Sequence, residues 1–349
     1  MDLSSIRAKE TSNRNLIING AMQVAQRGTS STTNGYGSVD RFQNSYSGGT
    51  STGSQQSLTS SDTPYSLGFR NFFRLTNTST ASGTNDYRQI VQVIEAQNIA
   101  NSGWNYTSAS SFVTLSFWVR TSVAGKYGII LVANDSPAYQ FAFTETLSAD
   151  TWTKVTKTIS GNSNLVFNND NGAGLTLAIE AWMGSGYTDA SANLDSWVTY
   201  DTSVYLPTDI VNWAGTSSAT FDVTGVQLEV GLSTPFEHEN FNDTFNKCLR
   251  YYELIGSGLY LTETGHTYGL ACTSLNNTDN SEWFELRFSE KRTNAPVISF
   301  VNSFGWAAGP SNTDVSSNSA TWYHTAFFFA YADSANKENL PIFEIKDEM

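Results

Sequence analysis

The chain has 349 residues, enough for two folded units at about 100–200 residues per domain. Only 15% of the residues are charged, the formal net charge is −13 and no basic run occurs, which excludes a surface built to neutralise nucleic-acid phosphates. The two cysteines and three histidines show neither zinc-ligand spacing nor a disulfide framework, so we expect no metal site built on them.

Residues 1–14 form the first segment, which mixes charges with only two large apolar side chains, Leu3 and Ile6. This composition predicts an arm that docks onto another protein. The segment lacks the hydrophobic stretch of a signal peptide, and no run of about eighteen apolar residues occurs anywhere in the chain. We therefore expect neither Sec export nor insertion into a membrane.

Short strands are predicted throughout residues 15–240. Apolar and polar residues alternate over 112–120, and large apolar side chains recur at every second position over 139–143 and 175–179. Residues that favour turns, chiefly Gly, Asn and Ser, separate these runs. Such an organisation is typical of a sandwich of two sheets.

The last strand of this region contains a slip in its alternation. Its apolar residues fall into two phases, Phe221 and Val223 in the first and Val226, Leu228 and Val230 in the second. One extra residue is needed to keep all five side chains on one face, and a glycine accepts that position at little steric cost. The sequence therefore predicts a β-bulge at Gly225, with Gln227 and Glu229 facing outward or toward a neighbouring subunit.

An amphipathic helix is predicted over residues 241–256. Its apolar positions have helical spacing: Phe241, Phe245, Cys248, Leu249, Tyr252 and Ile255. Gly256 is expected to end the helix, and residues 257–349 return to patterns typical of strands. The helix is thus predicted to lie at a domain boundary.

Several motifs resemble those of a known family. They are NLIINGAMQVAQRG at 15–28, Asp40-Arg41-Phe42, TGVQLEVG at 224–231, TPFE at 234–237 and CLRYY at 248–252. This set is similar to motifs of bacteriophage tail-fibre and tail-associated proteins, and the likeness covers roughly residues 15–252. The chain departs from the family pattern at Glu239, where a basic residue is expected.

The resemblance implies a mainly β fold and a role in the virion. The expected organisation is a carbohydrate-binding-like jelly-roll β-sandwich over 15–240, one linker helix over 241–256 and a smaller β-rich domain over 257–349. The expected protein is a non-enzymatic homotrimer, made in the host cytoplasm, which binds other tail or capsid proteins through residues 1–14 and host surface polysaccharide during adsorption. Two alternatives stay open, a structural connector or capsid-attached fibre without receptor binding, and a polysaccharide depolymerase.

Aromatic side chains are the candidate glycan-binding residues. One set lies in a stretch rich in Gly, Ser and Asp: Trp182, Tyr187, Trp197, Tyr200, Tyr205 and Trp213. A second set lies near the C-terminal end: Trp306, Trp322 and Tyr323. Indole and phenol rings stack on the C–H faces of sugars, while Asn and Asp accept hydrogen bonds from their hydroxyls. The alternative is that these rings bury the bases of loops or a seam between subunits.

Two polar groups have structural interpretations. Asp40 and Arg41 are predicted to form a structural ion pair, with Arg88 and Glu95 as further candidate partners, because buried pairs of this kind usually fix geometry. Residues 168–172 (NNDNG) offer oxygen ligands for calcium. The same residues match a hairpin turn, which is the favoured interpretation since a calcium loop generally needs more than one carboxylate.

Acidic residues supply the only candidate chemistry for hydrolysis. Glycoside cleavage needs two carboxyl groups about 5–10 Å apart. The carboxyl groups that could supply such a pair are Glu180, Asp189, Asp195 and Asp201. Because acids in loops are usually solvated and no catalytic motif accompanies these four, we expect no catalytic residues.

Overall fold

The structure is a computed structural model that describes residues 14–255, 270–273, 281–287, 289, 291–292, 297–302, 325–331 and 342–349. Contacts divide the chain into two compact units, residues 1–245 together with Met349, and residues 246–348. The strands of the first unit are β1 (Ser30–Ser31), β2 (Gln43–Ser47), β3 (Ser51–Ser57), β4 (Asn71–Asn77), β5 (Tyr87–Glu95), β6 (Phe112–Thr121), β7 (Gly125–Ala133), β8 (Tyr139–Leu147), β9 (Thr153–Ser160), β10 (Ala173–Met183), β11 (Trp197–Thr199) and β12 (Thr220–Val230). One short helix, α1 (Ala96–Ala100), follows β5.

These strands form two antiparallel sheets. The first sheet has the order β1-β3-β4-β12-β6-β9, and the second has the order β11-β8-β7-β10-β5-β2. The chain crosses repeatedly from one sheet to the other, and the inward side chains of both sheets form one continuous core. The predicted fold class, a mainly β sandwich of the jelly-roll type, is confirmed.

The bulge predicted in β12 is confirmed. The pairing of β12 with β6 shifts between Thr224 and Gln227, and Gly225 has a φ of +64°. The shift keeps Phe221 and Val226 on the same, buried face. The phase slip in the sequence is thus the local signature of this bulge.

The prediction that Gln227 and Glu229 face outward is wrong, because both side chains are buried. Residues 231–237 fold back over this face. Glu229 accepts hydrogen bonds of 2.7 Å and 2.6 Å from the backbone N–H and hydroxyl of Thr234, and Gln227 accepts one of 2.7 Å from the N–H of Glu237. The two polar side chains therefore hold the returning loop in place.

The N-terminal motif packs directly against this strand. The Asn15 amide donates to the carbonyl oxygen of Val226 at 3.0 Å and accepts from the N–H of Leu228 at 3.0 Å. A Cβ added at Gly20 would lie 2.0 Å from the carbonyl oxygen of Val226, so only glycine fits there. Two of the segments that carry the sequence resemblance, 15–28 and 224–231, are therefore neighbours in space.

The outer face of the first sheet carries an ion-pair network centred on Asp222 of β12. Asp222 lies opposite Arg74 of β4 and Arg120 of β6. Its carboxylate accepts from Arg74 at 2.7 Å and 2.8 Å, and Arg120 lies 2.9 Å away. Arg120 also pairs with Asp62 at 2.8 Å. Three adjacent strands are thus cross-linked through one buried carboxylate.

The helix that follows the sandwich, α2 (Phe241–Leu249), is shorter than the predicted 241–256. Residues Tyr252–Ile255 instead form strand β13, which pairs with a strand from the end of the chain. The remaining strands are β14 (Leu270–Thr273), β15 (Ser281–Arg287), β16 (Val297–Asn302), β17 (Thr325–Tyr331) and β18 (Ile342–Lys346). They form two three-stranded sheets with the orders β13-β18-β16 and β14-β15-β17. Within the described ranges, neither helix is long and apolar enough to cross a bilayer.

Candidate functional site

A groove of about 330 Å³ lies on the outer face of the second sheet. Its floor is built by outward side chains at every second position of three neighbouring strands. These are Gln89 and Val91 of β5, Thr176, Ala178 and Glu180 of β10, and Ile130 and Val132 of β7. The register pairs Ala178 with both Val91 and Ile130, so the floor is a regular apolar strip with polar ends. The outward-facing Val91, Ile130, Val132 and Ala178 are themselves buried, because they pack in one cluster with Tyr205 and Leu206 of the segment that follows β10.

Tyrosine side chains form the walls of the groove. Tyr87 comes from β5, whereas Tyr187, Tyr200 and Tyr205 come from the segment that follows β10. The ring centroids of Tyr87 and Tyr187 are 5.9 Å apart, those of Tyr187 and Tyr205 are 6.4 Å apart, and those of Tyr200 and Tyr205 are 5.8 Å apart. The four rings thus form one continuous group. Tyr200 is 41% exposed and stands at the rim.

Glu180 lies at one end of the floor and is almost completely buried. Neither carboxyl oxygen has a hydrogen-bond partner among the described residues. Because burial disfavours the charged form, the pKa of Glu180 lies well above its usual range. Burial also raises the pKa of Tyr205, and a hydrogen bond with Tyr200 adds to this effect. The phenol of Tyr205 is therefore neutral at any physiological pH.

A second groove of about 610 Å³ adjoins the first. Tyr200 and Thr202 line both grooves, and Asp201 lines the second. The Asp201 carboxylate accepts hydrogen bonds from the hydroxyl of Ser203 at 2.7 Å and from its N–H at 2.9 Å, which lower its pKa. Tyr200 consequently stands between two adjoining depressions that an extended chain molecule could follow.

The structure divides the aromatic candidates into three groups. Tyr187 and Tyr205 line the groove. The indoles of Trp182, Trp197 and Trp213 lie in the core with exposed fractions of 7%, 8% and 0%, so their assignment to a sugar-binding platform is corrected. Trp306, Trp322 and Tyr323 lie outside the described residues.

Each buried indole has a specific structural reason. The pairing of β10 with β5 shifts between Glu180 and Trp182, which turns Trp182 inward although Glu180 faces the groove. Trp197 donates its indole N–H to the carbonyl oxygen of Ser160 at 2.8 Å. Trp213 donates to the carbonyl oxygen of Thr220 at 3.2 Å. The polar atom of each of the last two indoles is therefore satisfied inside the protein.

Asp40 and Arg41 are both buried. Asp40 accepts hydrogen bonds from the Gln26 backbone at 2.9 Å and from its side-chain amide at 2.5 Å. Arg41 has a φ of +70° and donates to the carbonyl oxygen of Val93 at 2.7 Å. Arg88, the suggested further partner, donates to the carbonyl oxygens of Ser47 at 2.6 Å and Tyr87 at 2.8 Å. These contacts tie the loops to β5, and direct pairing of Asp40 with Arg41 stays a prediction.

The acidic loop residues make local contacts. Asp170 accepts from the N–H of Gly172 at 2.9 Å, and Asn168 donates to Asp135 at 2.8 Å and 2.7 Å, so this segment forms a turn before β10. Asp195 pairs with Lys157 at 2.5 Å, and Asp189 accepts from Ser191. No group of three His, Cys, Asp or Glu side chains able to hold a metal ion occurs in the part of the chain that the structure describes.

Of the floor residues on β5 and β10, only Glu180 was predicted from the sequence, as a candidate for hydrolysis. Tyr87, Gln89 and Val91 occupy every second position of the sequence. That spacing was the available signal. Spacing alone does not show which face of the strand packs against the core and which face lies toward the groove.

The sequence matches no protein-family model, and no curated protein aligns with it significantly. A solved family 11 carbohydrate-binding module from Clostridium thermocellum, in complex with a β-1,3-1,4-mixed-linked tetrasaccharide, is 10% identical over 59% of this chain and 98% of that chain, with a TM-score of 0.30. A putative sugar-binding protein from Bacteroides thetaiotaomicron is 11% identical over 62% of this chain and 100% of that chain, with a TM-score of 0.31. The enzymatically active domain of tailspike protein 4 from bacteriophage CBA120 is 10% identical over 62% of this chain, which spans 22% of the tailspike structure, with a TM-score of 0.33. Each of these similarities therefore covers 59–62% of this chain.

Proposed function

We propose that this protein binds glycans in the tyrosine groove of its second sheet. The observation that carries the proposal is the group of four adjoining tyrosine rings over an apolar strip, edged by Gln89, Asn134, Thr176 and Thr202. Aromatic rings stack on the C–H faces of sugars, and amides and hydroxyls exchange hydrogen bonds with sugar hydroxyls. The volume of about 330 Å³ is at the lower end of the range of about 300–1,000 Å³ for ligand sites.

A glycan array, followed by calorimetry on the best ligand, tests the proposal. Substituting Tyr200→Ala removes the rim ring and should weaken binding about tenfold, the effect of losing one stacked aromatic ring and part of its buried area. Phe112→Ala is the matched control, because Phe112 is similarly exposed, at 38%, but lies on β6 of the other sheet. If Tyr200→Ala and Phe112→Ala bound the glycan with equal affinity, the binding site would lie elsewhere.

We further propose that the protein acts in a bacteriophage tail fibre that recognises host surface polysaccharide. The support is the resemblance of residues 15–28 and 224–252 to tail-fibre proteins. Such fibres are expected to be homotrimers, in which several weak sites act together by avidity. Light scattering on the purified chain should give three times the monomer mass of 38.2 kDa. A stable monomer at micromolar concentration would contradict the trimer.

The proposed role is binding without cleavage. Glu180 is the single carboxyl group that lines the groove in the part of the chain that the structure describes, whereas glycoside hydrolysis normally uses two carboxyl groups about 5–10 Å apart. Incubation with the ligand found on the array should release no reducing ends. Release that disappears in Glu180→Gln would establish a depolymerase instead.

A further inference from the structure

Glu180 distinguishes this groove from an ordinary apolar cleft. Among the described residues that line the groove, it is the only carboxyl group, and none of them is Lys, Arg or His. The side chain is 1% exposed, and both carboxyl oxygens lack a hydrogen-bond partner among the described residues. Burying a carboxyl group without donors costs stability, and the rare buried polar groups without partners call for a specific explanation. A ligand that brings its own donors and positive charge would supply one.

The tyrosine rings next to Glu180 provide a second, independent indication. Tyr87, Tyr187, Tyr200 and Tyr205 follow one another with centroid separations of 5.8–6.4 Å. The faces of aromatic rings attract cations, and ammonium groups are commonly bound among several such rings. A group of phenol rings beside an unpaired carboxyl is therefore chemically suited to a cation.

The charged residues around the groove also favour a cationic ligand. The segment 184–216, which supplies three of the four tyrosines, contains four aspartates and no lysine or arginine. Two of these aspartates pair with lysines, Asp195 with Lys157 and Asp209 with Lys126. Asp189 and Asp201 accept hydrogen bonds only from neutral serine groups. An anionic ligand would be repelled here, whereas a cationic one would be attracted.

We propose that the groove selects a glycan that carries a protonated amino group, with the ammonium held among the tyrosine rings beside Glu180. This inference rests on the proposed glycan-binding function and names the ligand class of the same site. An ammonium supplies the N–H donors and the positive charge that are missing from the surroundings of the Glu180 carboxyl group. Because the carboxyl is covered in the unliganded groove, direct contact requires the side chains around it to shift, as is common when ligands bind.

Calorimetry with three β-1,4-linked tetrasaccharides tests the inference on the full-length protein. The glucosamine, N-acetylglucosamine and glucose oligomers share ring geometry and differ only at C2, which carries an ammonium, a neutral acetamide or a neutral hydroxyl, respectively. At about pH 6, below the usual pKa of such an amine, the glucosamine oligomer should bind at least about tenfold more tightly than the glucose oligomer. In Glu180→Gln this ratio should fall several-fold, because only the attraction of the tyrosine rings for the cation remains, while the affinity for the glucose oligomer stays unchanged.

The control variant is Asp189→Asn, which removes one negative charge from the same segment but outside the groove lining. It should leave the ratio intact, and circular dichroism verifies that both variants are folded. Equal binding of all three oligomers would overturn the inference while leaving glycan binding by the groove in place. A ratio that is undiminished in Glu180→Gln would also overturn it, because the preference would then arise without Glu180. Absence of binding to any glycan would instead refute the proposed function and the inference together.

Discussion

The bulge at Gly225 provides the sharpest test of how this sequence specifies its fold. Gly225 has a φ of +64°, and a Cβ added there would lie 2.7 Å from Cζ of Phe69. The left-handed conformation costs a residue with a side chain about 1–2 kcal/mol. Overpacking against a buried ring costs about 1–3 kcal/mol more. Alanine offsets about 0.4–1 kcal/mol of this by restricting the unfolded chain. We therefore expect Gly225→Ala to lower the free energy of unfolding by about 1–4.5 kcal/mol.

Two further variants separate the steric cost from the backbone cost. Gly231→Ala also places a side chain at a positive φ, +91°, but the new Cβ meets nothing within 4 Å, so it should show the backbone cost alone. In a Phe69→Ala background the clash is absent, and Gly225→Ala should then cost about 1–3 kcal/mol less than in the wild type.

Urea denaturation followed by tryptophan fluorescence measures these differences, and the buried indoles of Trp197 and Trp213 report on the sandwich. Equal costs for Gly225→Ala and Gly231→Ala, together with no change in the Phe69→Ala background, would refute the steric argument. A neutral Gly225→Ala would refute the assignment of the bulge itself.

Other predictions concern charge. The pKa of Glu180 is raised in the folded state. Below the pKa of the unfolded state, about 4.3, the carboxyl group is protonated in both states. As the pH rises above about 4.3 toward the pKa of the folded state, the folded protein loses stability relative to the unfolded chain. Glu180→Gln should therefore melt at a higher temperature than the wild type at pH 8 and at nearly the same temperature at pH 4; a difference that does not vary with pH would contradict this. Asp222→Ala should destabilise the protein by about 2–4 kcal/mol, since it leaves Arg74 and Arg120 without their shared carboxylate and both arginines are partly exposed to water. Asp209→Ala, at an exposed pair with Lys126, should cost less than about 1 kcal/mol, and equal losses in urea titrations would show that the Asp222 network has no special weight.

The bulge at Gly225 and the register shift between Glu180 and Trp182 show which features a single sequence reveals. At Gly225 the apolar residues change phase and a glycine marks the position, so the bulge is visible in the pattern. At the shift between Glu180 and Trp182 no glycine marks the position, and both residues have the same parity. The sequence therefore could not indicate that Trp182 turns into the core while Glu180 faces the groove.

Long-range packing accounts for the other errors. Gln227 and Glu229 have the alternation of exposed residues, but the loop over 231–237 covers them, and alternation carries no information about a returning loop. The helix prediction extended through Tyr252 because its spacing continues the apolar stripe, whereas pairing with β18 favours a strand there. The groove itself combines residues from β5, β10 and the segment after β10, which only the folded sheet brings together.

The position of β12 has a consequence for how the chain reaches its native state. This strand is the last of the sandwich in sequence, yet it lies between β4 and β6 in the middle of the first sheet. During synthesis, β4 and β6 therefore have no partner between them until residue 230 has emerged, and the Asn15 amide has nothing to bond. Contacts that span more than 200 residues close late and slowly, so completion of the sandwich should follow translation of this whole region rather than accompany it.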